Sequence, residues 1–434
     1  MNKSSTWTAL SNPAFRKLWI ATVISGTCVA AHDSAATWTM NTFTASPLLI
    51  SLMSTVASLP FILFTLPAGV LADKVDRRNL ICFINAGLAA TAAGLAVLGW
   101  LHLLNPCLIL ASVFIIGVGF AFNAPAWTSI VPQVVSDAEL PSAATLSGLQ
   151  FNISGIIGPA LGGLLVPLAG GNFVFALNAT CLLLVVLAIR QLKKPSGQLA
   201  PPSESFFESF GTIVRHVRSA PGFQVILARN FLFSLFISVI PALMPVMGLR
   251  VLHLSPSNLG LLFTSIGAGS VAGAMFIIPW LRARLSSDGL ILSANLLLIF
   301  VYILMSLVRQ TEVFFVVAAL AGMGWTLSAS ELWVATQRAM PEWARGRMNA
   351  TVIMISQGAM AFGGAFWGLT ASIAGPAYAL YGAAVLFLVS LLLARRLPIN
   401  IGEQIEETVS EVLSMPVEPE VIAPMAATGE LLTA

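Results

Sequence analysis

The chain has 434 residues, 57% of them hydrophobic and only 9% charged, with 21 Lys and Arg against 18 Asp and Glu and a mean hydropathy of +0.89. So few charged groups cannot clothe a soluble core of this size, and the composition is that of an integral membrane protein. A net charge of +3 gives no basis for a nucleic-acid surface. The four cysteines, Cys28, Cys82, Cys107 and Cys181, lack paired spacing and read as buried thiols, not as a disulfide or metal framework.

In chain order, a short N-terminal segment (1–16) precedes about twelve apolar runs, each of roughly 20 residues or more, enough to cross about 30 Å of hydrocarbon. They cover approximately 17–40, 48–72, 79–101, 107–131, 142–168, 172–192, 223–249, 257–280, 288–308, 313–337, 348–373 and 376–394. The first run is long and flanked by Arg16 and Lys17, so it reads as a span that stays attached and not as a cleaved leader. Between the second and third runs lies the charge-dense loop Asp73-Lys74-Val75-Asp76-Arg77-Arg78, with Gly69 upstream, where a small residue would let a neighbouring helix approach.

After six runs comes the longest internal connection, 193–222. Its residues Phe206, Phe207, Phe210, Ile213, Val214 and Val217 recur at helical spacing opposite Glu204, Glu208, Arg215 and Arg218, as in a linker helix lying on the membrane surface. It divides a bundle at 17–192 from a second at 223–396. The remaining segment, 397–434, is acidic, without Lys or Arg, and reads as a disordered tail.

Basic residues orient the runs. If the loop at Lys74 is cytoplasmic, the basic residues in every alternate connection fall on the same side, and only Arg250 and Arg309 fall opposite. Both termini are then cytoplasmic. The halves also echo each other: Val131-Pro132-Gln133 leads to Gly158-Pro-Ala-Leu-Gly162, and Met340-Pro341-Glu342 leads to Gly364-Ala-Phe-Trp-Gly368. An all-α membrane protein of two pseudo-symmetric six-helix bundles fits this, with a central site where the repeats meet.

Gly69-x-Leu71-x-Asp73-x-x-x-Arg77-Arg78 after the second run resembles the signature loop of the major facilitator superfamily. The Pro67 to Arg78 loop, Gly158 to Gly163, and Gln337 to Arg347 resemble its bacterial secretion-effector branch, which includes siderophore exporters of the enterobactin-exporter kind. The resemblance implies a major facilitator fold in a bacterial cytoplasmic membrane, a functional monomer, and a gating loop in which Gly69, Asp73, Arg77 and Arg78 act with Arg345 and Arg347. Lipid anchoring by Lys74, Arg77 and Arg78 is the alternative role. The loop after the eighth run, Arg282 to Asp288, keeps the charge without the full pattern, so a second symmetric latch is not expected.

Three charged residues fall within runs and away from their ends: Asp33, Arg229 and Glu331. A charge at the bilayer centre costs about 2.5–3.5 kcal/mol on insertion scales, so each needs a partner or a wet cavity. Asp33 and Glu331 are candidates for proton coupling or substrate contact, each with a structural alternative: a structural hydrogen bond or a helix-end position for Asp33, stabilisation by Arg338 toward the cytoplasmic end for Glu331. Arg229 reads as a cation at the inner interface or a partner for a carboxylate, with a ligand for an anionic substrate as the alternative. Asn123, Trp127, Gln150, Trp325 and Gln357 are candidates for lining a cavity, or for gluing helices together.

Nucleotide-binding, zinc-protease and dinucleotide motifs are missing, so no enzyme activity and no cofactor are expected. Four scattered histidines, His32, His102, His216 and His253, argue against a metal cargo. The expected function is secondary active transport: export of a small siderophore-like or drug-like organic molecule, driven by protons through alternating access. An importer, and a non-transporting receptor or scaffold that docks partners through the acidic tail, are the rival readings.

Overall fold

The computed structural model describes residues 8–44, 46–136, 139–191, 221–340 and 345–394. The amphipathic segment and the acidic tail therefore lie outside the described residues. Among those described, twelve helices are long and apolar enough to cross a membrane. They are α1 (Pro13–Phe43), α2 (Pro47–Lys74), α3 (Arg77–Trp100), α4 (Pro106–Val134), α5 (Leu140–Ala169) and α6 (Gly171–Arg190). The second set is α7 (Gly222–Val251), α8 (Pro256–Arg282), α9 (Ser287–Leu307), α10 (Thr311–Arg338), α11 (Arg345–Ala374) and α12 (Pro376–Ala394).

Helix starts follow local chemistry. Pro13 and Pro106 occupy first-turn positions where a missing N–H costs nothing. Asn12 accepts from the amides of Ala14 and Phe15, Asn105 from Leu108, and Ser255 from Asn258. Before α5, the backbone and hydroxyl of Ser136 both donate to Glu139 at 2.9 Å, holding its carboxyl below the usual carboxylate range. Large side chains such as Phe83, Leu168, Ile373 and Tyr378 point outward, as a lipid-facing surface requires.

Two runs expected to be continuous are interrupted. In α7, helix ends at Ile237, resumes over Val239–Val246 and widens into a π-turn at Met247–Val251. Pro241 has no N–H for the carbonyl of Ile237, which accounts for the break. In α8, a π-turn at Gly273–Ile277 precedes Pro279, whose ring displaces the carbonyl four residues earlier.

Close packing joins first-half helices to second-half helices along two seams. On one, α5 meets α8, and a Cβ on Gly260 would stand 2.5 Å from the Pro159 carbonyl and 2.6 Å from Gly163 Cα. Thr264 Oγ1 adds a hydrogen bond to the Ile156 carbonyl at 2.9 Å. On the other seam α11 lies on α2, with Gly364 against Thr55 and Gly368 against Ser51. Gly158 and Gly162 also pack on α1, against Thr27, Ala30 and Ala31, so the small-residue face of α5 is a packing face. The Gly269 to Gly273 stretch packs on α10, at Ala319 and Met323.

Gly69 departs from expectation: among the described residues no atom lies within 4 Å of where its Cβ would stand. The expectation of buried thiols holds for Cys82 and Cys181 and needs correcting for the others. Cys107 is exposed at the start of α4, whereas Cys28 and Cys181, distant in sequence, bring their Sγ atoms within 2.9 Å as free thiols between α1 and α6.

Candidate functional site

A cavity of about 640 Å³ lies where the two sets of helices face one another, within the range of small-molecule sites. Four helices of the first half (α1, α2, α4, α5) and four of the second (α7, α8, α10, α11) line it. Its wall is mainly apolar, with Phe61, Phe120, Phe263 and Trp325 among the larger side chains. Ser54, Ser58, Thr326 and Gln357 supply neutral polar groups. The broken part of α7 contributes Ile240, Pro241 and Pro245, so the irregular backbone sits where irregular backbone is tolerated in a membrane, beside a cavity.

Asp33 is the one ionisable side chain among the described residues lining this space. It is exposed, although it lies deep within α1 and its neighbours Ala31, His32, Ser34 and Ala35 are buried. Among the described residues no donor reaches its carboxylate; its backbone carbonyl accepts from Thr37 Oγ1 at 2.8 Å. Helical geometry explains the contrast with His32, one residue and about 100° away, which turns inward and packs on Phe175 with ring centroids 4.6 Å apart.

The other intramembrane charges are engaged elsewhere. Glu331 is buried, at 3% side-chain exposure, and accepts from Arg282 Nε at 2.6 Å. Its partner is thus the cation at the end of α8, not Arg338 on its own helix. Arg229 Nη1 pairs with Asp288 at 2.5 Å, at the edge of a separate crevice of about 260 Å³ between α7, α9, α10 and α12. Of the three charged positions after the eighth span, Arg282 and Asp288 are thereby used in pairs within the second half, and Arg284 lies 4.2 Å over the Trp280 ring.

Of the polar and aromatic candidates, Trp325 and Gln357 line the cavity. Gln150 lies outside the lining, its amide donating to the Thr22 carbonyl at 3.4 Å and to Ser154 Oγ at 3.3 Å, which ties α5 to α1. Asn123 also lies outside it, with a buried Oδ1. Trp127 is described in its backbone alone, as are Asp73, Arg77, Arg345 and Arg347 of the expected gating group. Arg78 is described fully: its Nε donates to the Ile189 carbonyl at 3.1 Å and its Nη2 to the Arg190 carbonyl. It closes the C-terminus of α6, while Asp76 caps α3 through the amides of Arg78 and Asn79. These contacts keep Arg78 within the first half.

Sequence reasoning missed the serine stripe of α2. Ser51, Ser54 and Ser58 recur at helical spacing beside Phe61, and Ser54, Ser58 and Phe61 line the cavity. The periodicity was legible, although hydroxyls in membrane helices so often bond their own backbone, as Ser54 does to the Ser51 carbonyl at 2.8 Å, that it carries little signal alone.

At the end of the molecule away from Lys74, Arg250 spans the halves. Its Nη2 donates to the carbonyls of Asn41, at 3.2 Å, and of Thr44 at the C-terminus of α1. The glycine seams run toward this same end, through Gly163 with Gly260 and Gly368 with Ser51.

A family model for transmembrane secretion effectors matches residues 4–427. Macrolide efflux protein A of Streptococcus pyogenes is 22% identical over 279 residues, 64% of this chain and 68% of that protein. Enterobactin exporter EntS of Citrobacter koseri is 25% identical over 370 residues, 80% of this chain and 84% of that one. Among solved structures, a bacterial homolog of the human lysosomal transporter Spinster, inward-facing and occupied, superposes with a TM-score of 0.69 at 14% identity, covering 92% of this chain and 99% of that one. That likeness speaks for the fold, the twelve-helix arrangement of major facilitator transporters.

Proposed function

Because the chain belongs to the transmembrane secretion effector family, we propose that it is a proton-coupled exporter of a small organic molecule, working by alternating access. Membership makes it a multi-pass membrane transporter of the major facilitator type and not an enzyme. The observation that carries the finer reading is the cavity between the halves, with one carboxylate, Asp33, exposed inside it. A carboxylate that faces a cavity open to one side at a time takes a proton from one compartment and releases it to the other.

The basic connections favour placing Lys74, Arg78 and both termini in the cytoplasm. In that placement Arg250 and the glycine seams lie toward the outer face, which favours reaching the cavity from the cytoplasmic side. Export is favoured over import by the two relatives, an efflux protein and an exporter. The substrate is left at the level of a small organic molecule that fits about 640 Å³.

Everted membrane vesicles energised to an acidic interior test this reading with ethidium as the probe. Export in the cell corresponds to accumulation inside the vesicle, which collapses when a protonophore is added. Loss of ethidium from preloaded vesicles under the same gradient would support the importer instead. Vesicles in which flux matched those lacking the protein would support the scaffold.

A further inference from the structure

We propose that the cavity selects cationic amphiphiles: a permanent or protonated ammonium-type centre placed against Asp33, inside a shell of aromatic and aliphatic groups. This inference deepens the transport reading and rests on it, since it names the chemical class that the same cavity accepts. Its starting point is charge balance. Asp33 is the one ionisable side chain among the described residues lining the cavity, and no Lys, Arg or His stands there to offset it. Its carboxylate receives no donor from the described residues. The arginines nearest in function are committed elsewhere: Arg250 to the carbonyls at the end of α1, Arg282 to Glu331, and Arg229 in its pair with Asp288.

A carboxylate in an apolar wall lowers its free energy by taking up either a proton or a cation, and the two compete for one place. A cationic cargo supplies the missing counter-charge. An anionic cargo, such as a polycatecholate or carboxylate siderophore, meets like charge with no compensating cation among the described lining residues, only the neutral donors of hydroxyls, the Gln357 amide and the Trp325 indole. The remaining wall suits an amphiphile: Phe61, Phe120, Phe263 and Trp325 offer ring faces that attract cations as well as apolar groups, and Met53 adds a polarisable side chain. The same carboxylate that couples to protons thus also sets the sign of the charge that is carried.

Tetraphenylphosphonium and tetraphenylborate are ions of nearly the same size and shape and opposite sign, and neither exchanges a proton. Equilibrium dialysis of the full chain, purified in detergent, compares their binding directly. The expected result is saturable binding of tetraphenylphosphonium at least about tenfold tighter than that of tetraphenylborate. Asp33→Asn loses at least about tenfold for the cation and narrows the gap between the ions, whereas Asp33→Glu retains the preference. Size-exclusion profiles and thermal unfolding of both variants confirm that they fold. Wild-type protein that bound the borate as well as the phosphonium, or bound no phosphonium saturably, would overturn the proposal, as would an Asp33→Asn variant of unchanged cation affinity. Flux in everted vesicles separates the two readings. Borate bound and pumped would leave transport intact and end the cation assignment. Phosphonium bound through Asp33 but never pumped would keep the cation site and end the transport reading.

Discussion

Asp33 and Glu331 carry the same functional group within membrane-spanning helices and meet opposite fates. Asp33 faces open space in the cavity, whereas Glu331 is buried and held by Arg282 at 2.6 Å. A buried carboxylate deprived of its partner is costlier than no carboxylate at all, because the charge is left without compensation. Arg282→Ala is therefore expected to destabilise the protein by about 1–3 kcal/mol, a range lowered for the half-exposed arginine, and to lower the thermal unfolding midpoint measured in detergent. Adding Glu331→Gln to Arg282→Ala recovers most of the loss, and a double variant no more stable than Arg282→Ala would show that the pair does not act as a unit. The sequence marks both acids as intramembrane charges, because charged residues in apolar runs are rare and visible. It does not reveal their partners: Arg282 lies 49 residues from Glu331, and same-helix spacing points to Arg338 instead.

Helix ends and helix seams are where the proposed closure of one side of the molecule can be tested. The last carbonyls of α1 have no intrahelical donors, and Arg250 at the end of α7 supplies them. In a background with exposed Cys107 replaced by serine, a cysteine at Ser46 is expected to react several-fold faster with a membrane-impermeant maleimide when Arg250 is changed to alanine. An unchanged rate would mean that Arg250 does not hold this end closed. Gly260→Val provides a second test by sterics, since its Cβ would stand 2.5 Å from the Pro159 carbonyl. It is expected to raise labelling at Ser46 as well, and equal rates with and without it would show that the α5 and α8 seam tolerates separation. The existence of these helices is plain in the sequence because about 20 apolar residues are needed to span a bilayer. Their pairing is not, since lipid and neighbouring helices present similar apolar surfaces and only small residues mark contacts. Gly158 and Gly162 mark one such contact faithfully, whereas beside Gly69, equally small, no atom of the described residues lies within 4 Å of its Cβ position.

At the scale of the whole molecule, the proposed alternating access asks of two sets of six helices, with a cavity between them, two states of similar free energy. Each closing contact must then be worth only a few kcal/mol, as a hydrogen-bonded arginine and two glycine seams are. The twelve-helix arrangement and the bias of basic residues to one side are legible because hydropathy and charge are additive along a chain. The cavity is not, because it depends on how eight helices turn their faces, and sequence periodicity in lipid gives that only weakly. Trp325 and Gln357 turn into it while Gln150 turns to α1, though all three look alike as polar or aromatic breaks in apolar runs. The most direct test of the central claim, that Asp33 links protons to cargo, is tetraphenylphosphonium flux in proteoliposomes carrying wild-type protein or Asp33→Asn. Wild-type protein is expected to drive uphill movement of the cation when a pH gradient is imposed, and Asp33→Asn to show none above protein-free liposomes. Uphill movement that persisted in Asp33→Asn at the wild-type rate would contradict the account.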